Sequence, residues 1–333
     1  MNNKFYLLLG TVAVLATSCN DKKTDEQIVS QSYMHKSGYA ISKQEWEAQN
    51  YPGQVVTTLR DGVTIYATYE DGVLHGPSSH TYPHSKTIES YFLYNEGDLV
   101  KETYYDTMGM PIKENSYVSP TRYTATVWYK SGSPLSVEEF SGNELLDGQY
   151  FNTKNEVDAR VIKGKGHRII RDNQGILKIK DEVQGGFIVK RETFYPSGTP
   201  ESIAIYVKGL PHGTKKTFAE TGEPLAIEEW AFGLLHGNSV YFKNGAKYLE
   251  TSYEEGKKEG YETHYANGDT VIEKTLWLND RKHGPSNFYI DGSVFTTWFY
   301  DDEAVSQKKY IDMRSLDEKI ISASEDFDMA EVN

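Results

Sequence analysis

Four histidines that each stand directly before a glycine are the first candidates for chemistry in this chain: His75, His212, His236 and His283. A row of imidazoles suggests a metal site, because imidazole nitrogens bind zinc at about 2 Å. Equivalent places on successive two-stranded units, however, lie about 10 Å apart or more. We therefore expect each ring to pack and form hydrogen bonds where the chain turns back, without a shared metal ion.

Two adjacent glutamate pairs are the next candidates, Glu138-Glu139 and Glu228-Glu229. Paired carboxylates hydrolyse glycosidic bonds by acid–base chemistry when they face each other across the scissile bond. Neighbouring residues of a β-strand point to opposite faces of the sheet, so neither pair forms such a site by itself. We expect these glutamates to line a solvated face and to have no catalytic role.

A basic segment interrupts an otherwise acidic chain. Residues 155–191 carry nine Lys or Arg and five Asp or Glu, whereas the whole chain has a formal charge of −13. Such a cluster favours an acidic partner or a lipid headgroup, although solvent-facing side chains of a degenerate repeat would look the same. The candidate partner-binding patch comprises Arg160, Lys163, Lys165, Arg168 and Arg171.

Sequence signatures of enzymes are missing from the chain. It contains no phosphate loop, no zinc-spaced Cys/His set, no nucleophile elbow and no dinucleotide fingerprint. The acidic charge also disfavours binding to nucleic acid, whose backbone is anionic. We therefore expect a protein that is not an enzyme, has no cofactor or metal and does not bind nucleic acid.

The N-terminus has the layout of an export signal. Lys4 precedes a short apolar run over residues 5–16, and small residues follow up to Cys19, the single cysteine of the chain. This run is too short to be a dependable membrane-spanning helix. The segment 1–18 is therefore predicted to be a signal peptide.

The residues around Cys19 resemble the bacterial lipoprotein box, with Ala16 at the place where leucine is preferred. The resemblance implies that Cys19 is diacylated and becomes the mature N-terminus. The protein would then lie in the bacterial cell envelope, anchored by lipid to the inner or the outer membrane. The alternative is an ordinary signal peptide followed by an incidental cysteine.

Turn signals recur at a nearly fixed interval of about 23 residues through most of the chain. Asn-Gly, Asp-Gly and Ser-Gly between alternating segments predict β-hairpins, and such a period indicates a small unit repeated into an array. A second glycine, often preceded by histidine, ends each unit. The eleven turns close at Gly62, Ser85, Gly109, Gly132, Asn155, Gly175, Gly198, Gly222, Gly245, Gly268 and Gly292.

Aromatic residues recur in phase just before these turns. They are expected along one face of the sheet, either as its thin core or as a platform for sugars or peptide side chains, and we favour the core. The positions are Tyr82, Tyr129, Tyr195, Phe218, Phe242, Tyr265 and Tyr289.

Segments such as Gly233-Leu-Leu-His-Gly237 and Glu250-Thr-Ser-Tyr253-Glu-Glu-Gly256 resemble the bacterial variant of the MORN repeat. The resemblance implies an all-β fold: an elongated, single-layer antiparallel sheet of about eleven hairpins, open and solenoid-like, with short helices at its ends. Proteins with such repeats mostly serve as binding or scaffolding surfaces.

Four segments follow from these patterns. They are the signal peptide, 1–18; a lipidated tether with a short helix near 43–49, 19–50; the repeat array, 51–313; and a capping helix with an acidic tail, 314–333. Capping boxes at Ser42–Glu45 and Ser315–Glu318 predict where the two helices begin. Leu316, Ile320 and Ile321 are expected to cover the edge of the last strand.

Our leading hypothesis is a non-catalytic, membrane-anchored bacterial lipoprotein. It would present its β-repeat surface to a protein or another component of the envelope, which the sequence does not identify. One alternative is a carbohydrate-binding or carbohydrate-active module. Another, implied by the family resemblance, is an antitoxin-like repeat protein, but its cytosolic partner would conflict with an export signal.

Overall fold

A computed structural model describes residues 27–317 of the protein. The chain divides into two compact units, Met1–Ser116 and Tyr117–Asn333. The repeat array that we predict over 51–313 therefore includes residues of both units. The predicted signal peptide, Cys19 and the tail after residue 317 lie outside the described residues.

The first unit consists of antiparallel strands and one helix, α1, Lys43–Gln49. The last of its strands, β9, contains the boundary between the units. The strands are β1 Ile28–His35, β2 Ala40–Ile41, β3 Gly53–Leu59, β4 Thr64–Glu70, β5 Val73–Leu74, β6 Gly76–Thr81, β7 Ile88–Asn95, β8 Asp98–Tyr105 and β9 Pro111–Ser119.

The second unit continues in the same style and ends in helical residues 307–317. Its strands are β10 Arg122–Trp128, β11 Pro134–Ser141, β12 Glu144–Phe151, β13 Val157–Ile162, β14 Lys165–Arg171, β15 Leu177–Gln184, β16 Phe187–Phe194, β17 Pro200–Val207, β18 Leu210–Phe218, β19 Pro224–Ala231, β20 Leu234–Leu235, β21 Gly237–Lys243, β22 Ala246–Glu254, β23 Lys257–Ala266, β24 Thr270–Leu278, β25 Arg281–Ile290, β26 Ser293–Tyr300 and β27 Glu303–Val305.

The predicted all-β class and the open antiparallel sheet of hairpins are confirmed. Within each unit, strands pair antiparallel with near neighbours in the chain. All eleven predicted turns lie between strands. Asn155 takes the left-handed conformation that glycine takes in most of the others, and at the turn before β7 it is His84, next to the predicted Ser85, that does so.

Most return corners are two-residue turns in which both residues have positive φ. Examples are Lys208-Gly209, with φ of 51° and 82°, and Phe232-Gly233, with 48° and 89°. Such turns have the twist that hairpins prefer. The N–H of Gly233 donates to the carbonyl of Pro211 at 2.8 Å. Neighbouring corners are therefore in contact.

The second glycine of the repeat lies inside the strand that follows the corner. Gly213 faces Trp230 on the next strand, and Gly260 faces Trp277. The same pairing places Gly237 opposite Tyr253. A large ring thus lies opposite a residue without a side chain, a pairing that stabilises glycine in sheets.

Helix α1 begins where the sequence predicts. Ser42 and Glu45 form both hydrogen bonds of the capping box. The ring of Trp46 lies 5.6 Å from that of Tyr33 and 5.9 Å from that of Tyr69, between ring centroids. The helix thus packs an aromatic side chain against the sheet of the first unit.

The predicted tether is wrong from residue 28 onward. Strand β1 pairs with β3 from Ile28 opposite Leu59 to His35 opposite Gly53, and β2 adds two pairs. The polar composition of β1 disguises it, because an edge strand can expose polar side chains on both faces.

The C-terminal helical segment begins earlier than predicted. Ser306 caps it by accepting from the N–H of Lys309 at 3.2 Å, so Ser315 lies inside the helix. The residue that packs is Tyr310, buried against Trp298 and His283. Leu316, which was expected to cover the last strand, is exposed. Glu318, Ile320 and Ile321 lie outside the described residues.

Gly284 provides a test of the glycine rule. It has φ of 126°, and a Cβ there would lie 2.7 Å from Cδ2 of Leu276. Gly284→Ala should therefore destabilise the second unit by about 2–4 kcal/mol, from backbone strain and overpacking. Gly292→Ala is the control, because it has φ of 77° with open space around it, and should cost about 1 kcal/mol. Equal shifts of the two urea midpoints would contradict this account.

Candidate functional site

The five basic residues of the predicted patch do not form one surface. Arg160, Lys163 and Lys165 are exposed, whereas Arg168 and Arg171 are half-buried and paired with acidic side chains. Arg171 bonds to Asp158 and also donates to the carbonyl of Gly175 at 2.8 Å. Arg168 and Arg171 therefore form ion pairs within the sheet.

Arg168 lies at the centre of a buried charge network in the second unit. Its Nε donates to Glu138 at 2.6 Å, and its guanidinium lies 3.5 Å from Asp181. Asp181 is fully buried and accepts two hydrogen bonds from Arg191, at 2.7 and 2.9 Å. The hydroxyl of Tyr150 donates to Glu138 at 2.8 Å. Acid and base thus alternate as Glu138, Arg168, Asp181 and Arg191.

The strand register explains the network. Arg168 is opposite Asp181, which is opposite Arg191, so all three side chains leave the same face of the sheet. Glu138 is opposite Gly148, and a Cβ on this glycine would lie 2.5 Å from the hydroxyl oxygen of Tyr150. The missing side chain therefore provides the space in which Tyr150 reaches Glu138.

The network changes the pKa values of Arg168 and Tyr150. Burial acts to lower the pKa of Arg168, but the hydrogen bonds and charge of Glu138 outweigh it and raise the pKa. Burial, followed by the charge of Glu138, raises the pKa of the Tyr150 hydroxyl. A permanently charged guanidinium and a protonated phenol suit a fixed framework better than proton transfer.

The glutamate pair at 138–139 behaves as two separate residues. Glu138 is buried in the network, so our expectation that it lines a solvated face is wrong. Glu139 points to the other face and bonds to Arg122 at 2.7 Å. The opposite orientation of the two side chains, expected from the pleat of the strand, is confirmed.

Next to the network lies the apolar core of the second unit. Tyr150 belongs to it, together with Leu145, Val161 and Val183. This core lies at the basic segment 155–191, in which the turns at Asn155 and Gly175 are closer together in sequence than the usual interval. Two residues of this core, Val161 and Val183, lie within the basic segment 155–191.

A buried polar row crosses the later strands of the second unit. Its members are opposite one another on successive strands, and all five are buried: Ser239, Thr251, Glu262, Thr275 and Ser286. Thr275 and Ser286 lie 2.7 Å apart between hydroxyl oxygens, and Thr251 donates to Glu262 at 3.3 Å. The small hydroxyl side chains allow larger neighbours to close over them.

Glu262 is the single charge in this row. Burial acts to raise its pKa, but Lys258 and His264, which both bond to the carboxylate, bring the pKa below its usual value. Two partners on the same strand thus favour the ionised form of this carboxylate.

Lysines and aromatic rings alternate across the same face. The ammonium of Lys258 lies 4.4 Å from the ring centroid of Trp277, and that of Lys282 lies 5.8 Å from the same ring. Lys282 also lies 5.2 Å from the ring of Phe299. These distances are typical of cation–π contacts, which keep the lysine stems against the sheet.

The corner histidines connect one corner with the next. Nδ1 of His75 accepts from the N–H of Glu96 at 3.2 Å, and Nδ1 of His212 accepts from the N–H of Phe232 at 3.4 Å. His236 makes the same contact, at 3.5 Å, and His283 bonds to the carboxylate of Asp301. The expected hydrogen bonding of these rings is confirmed.

The tyrosines before the turns connect repeats at the other end of the strands. The hydroxyl of Tyr82 donates to the carbonyl of Tyr105 at 2.7 Å, and that of Tyr195 donates to the carbonyl of Phe218 at 2.8 Å. Tyr129 makes the equivalent bond to Phe151 at 2.8 Å. These rings are half-buried or buried, which agrees with the core interpretation.

The surface of the second unit has open grooves. One in the second unit, about 390 Å³, places exposed Arg160 near Glu139 and Asp147. Another, about 610 Å³, lies between helical residues 307–317 and the last strands, lined by Trp277, Tyr300 and other residues. Such mixed, shallow surfaces suit contacts with macromolecules better than enclosure of a small substrate.

The described residues offer little else that would mark a site. Between residues 27 and 317, no three His, Cys, Asp or Glu side chains are grouped so that they could hold a metal ion. In the same stretch, no helix combines the length and the apolar character needed to cross a membrane.

Comparisons with known proteins do not identify a family. No family model matches the chain, and no curated protein matches it. One similar solved structure is a mutant of S. aureus TarM in complex with Fondaparinux, alpha-GlcNAc-glycerol and UDP, 14% identical over 34% of this chain and 19% of its own, with a TM-score of 0.18. Another is a porin-like protein from Bacteroides uniformis, 10% identical over 80% of this chain and 92% of its own, with a TM-score of 0.16. Likenesses this weak carry no argument.

The network predicts that neighbouring glutamates differ in their contribution to stability. Glu138→Gln removes a buried charge from Arg168 and should lower the free energy of unfolding by about 3 kcal/mol. Glu139→Gln weakens an exposed pair and should cost less than about 1 kcal/mol. Chemical denaturation of both variants measures the difference, and similar losses would refute the buried network.

The lowered pKa of Glu262 predicts acid sensitivity. The stabilisation it gives is complete above the pKa of glutamate in the unfolded chain, and it is lost as the pH falls through the lower pKa of the folded protein. Glu262→Gln should therefore be less stable than the parent at neutral pH and should lose less stability on acidification. Thermal unfolding between pH 7 and pH 3 checks this, and parallel curves would contradict it.

Proposed function

We propose that the protein is a membrane-anchored bacterial lipoprotein whose MORN-type β-repeat surface binds a protein or another envelope component, without catalysis. The observation that carries the proposal is the single cysteine, Cys19, which follows an apolar run and the small residues Thr17 and Ser18. Acylation at that position would tether the protein to a membrane.

The chemistry of the sheet supports a binding role over an enzymatic one. The candidate acid–base carboxylates are already hydrogen-bonded. Glu138 accepts from Arg168 and Tyr150, and Glu229 accepts from the hydroxyl of Thr214 at 2.8 Å. A hydrolytic pair needs one free carboxylate and one raised pKa. A carbohydrate-active module is therefore the weaker proposal, and the export signal weighs against an antitoxin.

Exposed basic side chains remain candidates for partner binding. Arg160 lies in a groove with Glu139 and Asp147, and Lys163 and Lys165 flank the adjacent corner. Because both signs of charge are present, this surface suits a partner with complementary charges more than a uniformly anionic polymer.

The anchor can be tested by metabolic labelling with an alkyne fatty acid. The parent protein should incorporate the label and fractionate with membranes. Cys19→Ser should lose both the label and membrane association, because the chain has no other thiol.

Ser18→Ala is the matched control. It keeps a small residue before Cys19 and should retain the label. Acylation that persists in Cys19→Ser, or a parent protein that carries no lipid, would overturn the anchoring proposal.

A further inference from the structure

Two methionines stand on either side of one turn glycine, as Met108-Gly109-Met110 in the turn between β8 and β9 of the first unit. Met108 is 76% exposed and Met110 is 38% exposed, so burial does not account for either side chain. The equivalent positions of other turns mostly carry polar side chains: Ser131 and Ser133, Lys154 and Glu156, Ser197 and Thr199, and Thr221 and Glu223. Two thioethers therefore distinguish this turn from the others.

Hydrogen bonds fix the backbone of the methionine turn. The N–H of Gly109 donates to the carbonyl of Asp106 at 2.9 Å, and the N–H of Asp106 donates to the carbonyl of Met110 at 2.8 Å. One carboxylate oxygen of Asp106 accepts from the N–H of Met108 and from that of Met110, both at 2.9 Å. These four bonds set the positions from which the two thioether side chains leave the turn.

Equivalent turns show where side chains at these two positions point. The turn at Gly132 is closed by the same two backbone bonds, at 2.9 Å each. There Oγ of Ser131 lies 2.8 Å from Oγ of Ser133. Another turn of this form repeats the contact, since Oγ of Ser197 donates to Oγ1 of Thr199 at 3.2 Å. This backbone therefore directs the residues before and after its glycine to the same side.

Two thioethers on one side of a turn are a pair of ligands for a soft cation. Sulfur–metal bonds are about 2.3 Å long, so two sulfurs about 4–5 Å apart bind one ion. Methionine reaches this spacing from neighbouring positions, because its side chain is unbranched and flexible. Thioethers suit Cu(I), whereas Mg²⁺ and Ca²⁺ prefer oxygen ligands. The carboxylate of Asp106, next to the backbone of both methionines, adds a negative charge that favours a cation.

We infer that Met108 and Met110 form a surface binding site for the soft monovalent cation Cu(I). Two sulfurs leave the remaining coordination positions of the ion open, so a bound ion stays accessible to exchange. Among residues 27–317 no group of His, Cys, Asp or Glu side chains offers an alternative metal site. The inference replaces our expectation of a chain without metal, and it depends neither on the lipid anchor nor on the proposed binding partner.

The test follows the methionine methyl groups by NMR in the full-length protein labelled with [methyl-13C]methionine. Ag(I) is the first probe, because it is soft like Cu(I) and keeps its oxidation state, and Cu(I) is then titrated without oxygen. The signals of Met108 and Met110 should shift together and saturate with a single ion per chain. Zn²⁺ and Mg²⁺ should shift neither signal.

Leucine variants remove one sulfur at a time. Met108→Leu and Met110→Leu keep an apolar side chain of similar volume at an exposed turn, so the fold should be retained. Each should weaken Ag(I) binding by more than about tenfold, the loss typical of changes to a metal site. Met34→Leu is the matched control, because Met34 is an exposed methionine elsewhere in the first unit, and it should leave binding unchanged. Cys19 is the same in all variants.

Transplanting the pair tests the turn geometry. Ser131→Met combined with Ser133→Met places two thioethers on the same kind of turn and should add a second ion per chain. Ser131→Met combined with Ser197→Met adds the same number of methionines to two different turns. This unpaired variant should add no second ion.

Each other outcome overturns the inference. Methyl signals that do not move with Ag(I) or Cu(I) would exclude the site. Binding that persists in both leucine variants would assign the ion to other groups, and equal shifts with Zn²⁺ would exclude a preference for soft ions. Equal gains from the paired and the unpaired methionines would show that the turn does not bring the sulfurs together.

Discussion

The fold depends on residues held at positive φ at the ends of its strands. Most return corners place two left-handed residues in sequence, a turn whose twist matches that of the hairpins. At one of them the N–H of Gly233 lies within hydrogen-bonding distance of the carbonyl of Pro211. With the corners in contact, a histidine can reach the backbone of the following corner. The opposing aromatic rings and the buried row of hydroxyl side chains follow from the same register. Glycine and small polar residues therefore define the architecture more than the apolar residues do.

Because the apolar core of this sheet is thin, many of its buried side chains are polar and need partners. Here the strands carry them in rows, in which a buried charge has a partner of opposite charge close by. Arg168 meets Asp181 on the neighbouring strand, whereas Glu262 is paired with Lys258 on its own strand. Specificity of register is a benefit of such rows, because a shift by one residue would move each charge to the opposite face and leave its partner unpaired.

The sequence predicted local features well and long-range partners poorly. Hairpin turns and the capping box at Ser42 depend on residues close in the chain, and both lie where expected. The sequence could not show that Arg168 and Arg171 of the predicted patch pair with Asp181 and Asp158, because these contacts follow from strand register. Strand β1 was missed since a polar edge strand lacks the alternation that marks half-buried strands.

The bonds between repeats also restrict how such a chain can change its length during evolution. The hydroxyl of Tyr82 reaches residue 105 and that of Tyr195 reaches residue 218, so each donor is 23 positions from its acceptor. Duplication or loss of a complete unit preserves these distances and leaves the remaining bonds intact. Insertion of a single residue within a strand would break the tyrosine bond and also reverse the faces of the side chains. Genes for such proteins should therefore vary in length by whole units, while the spacing inside each unit stays under strong selection.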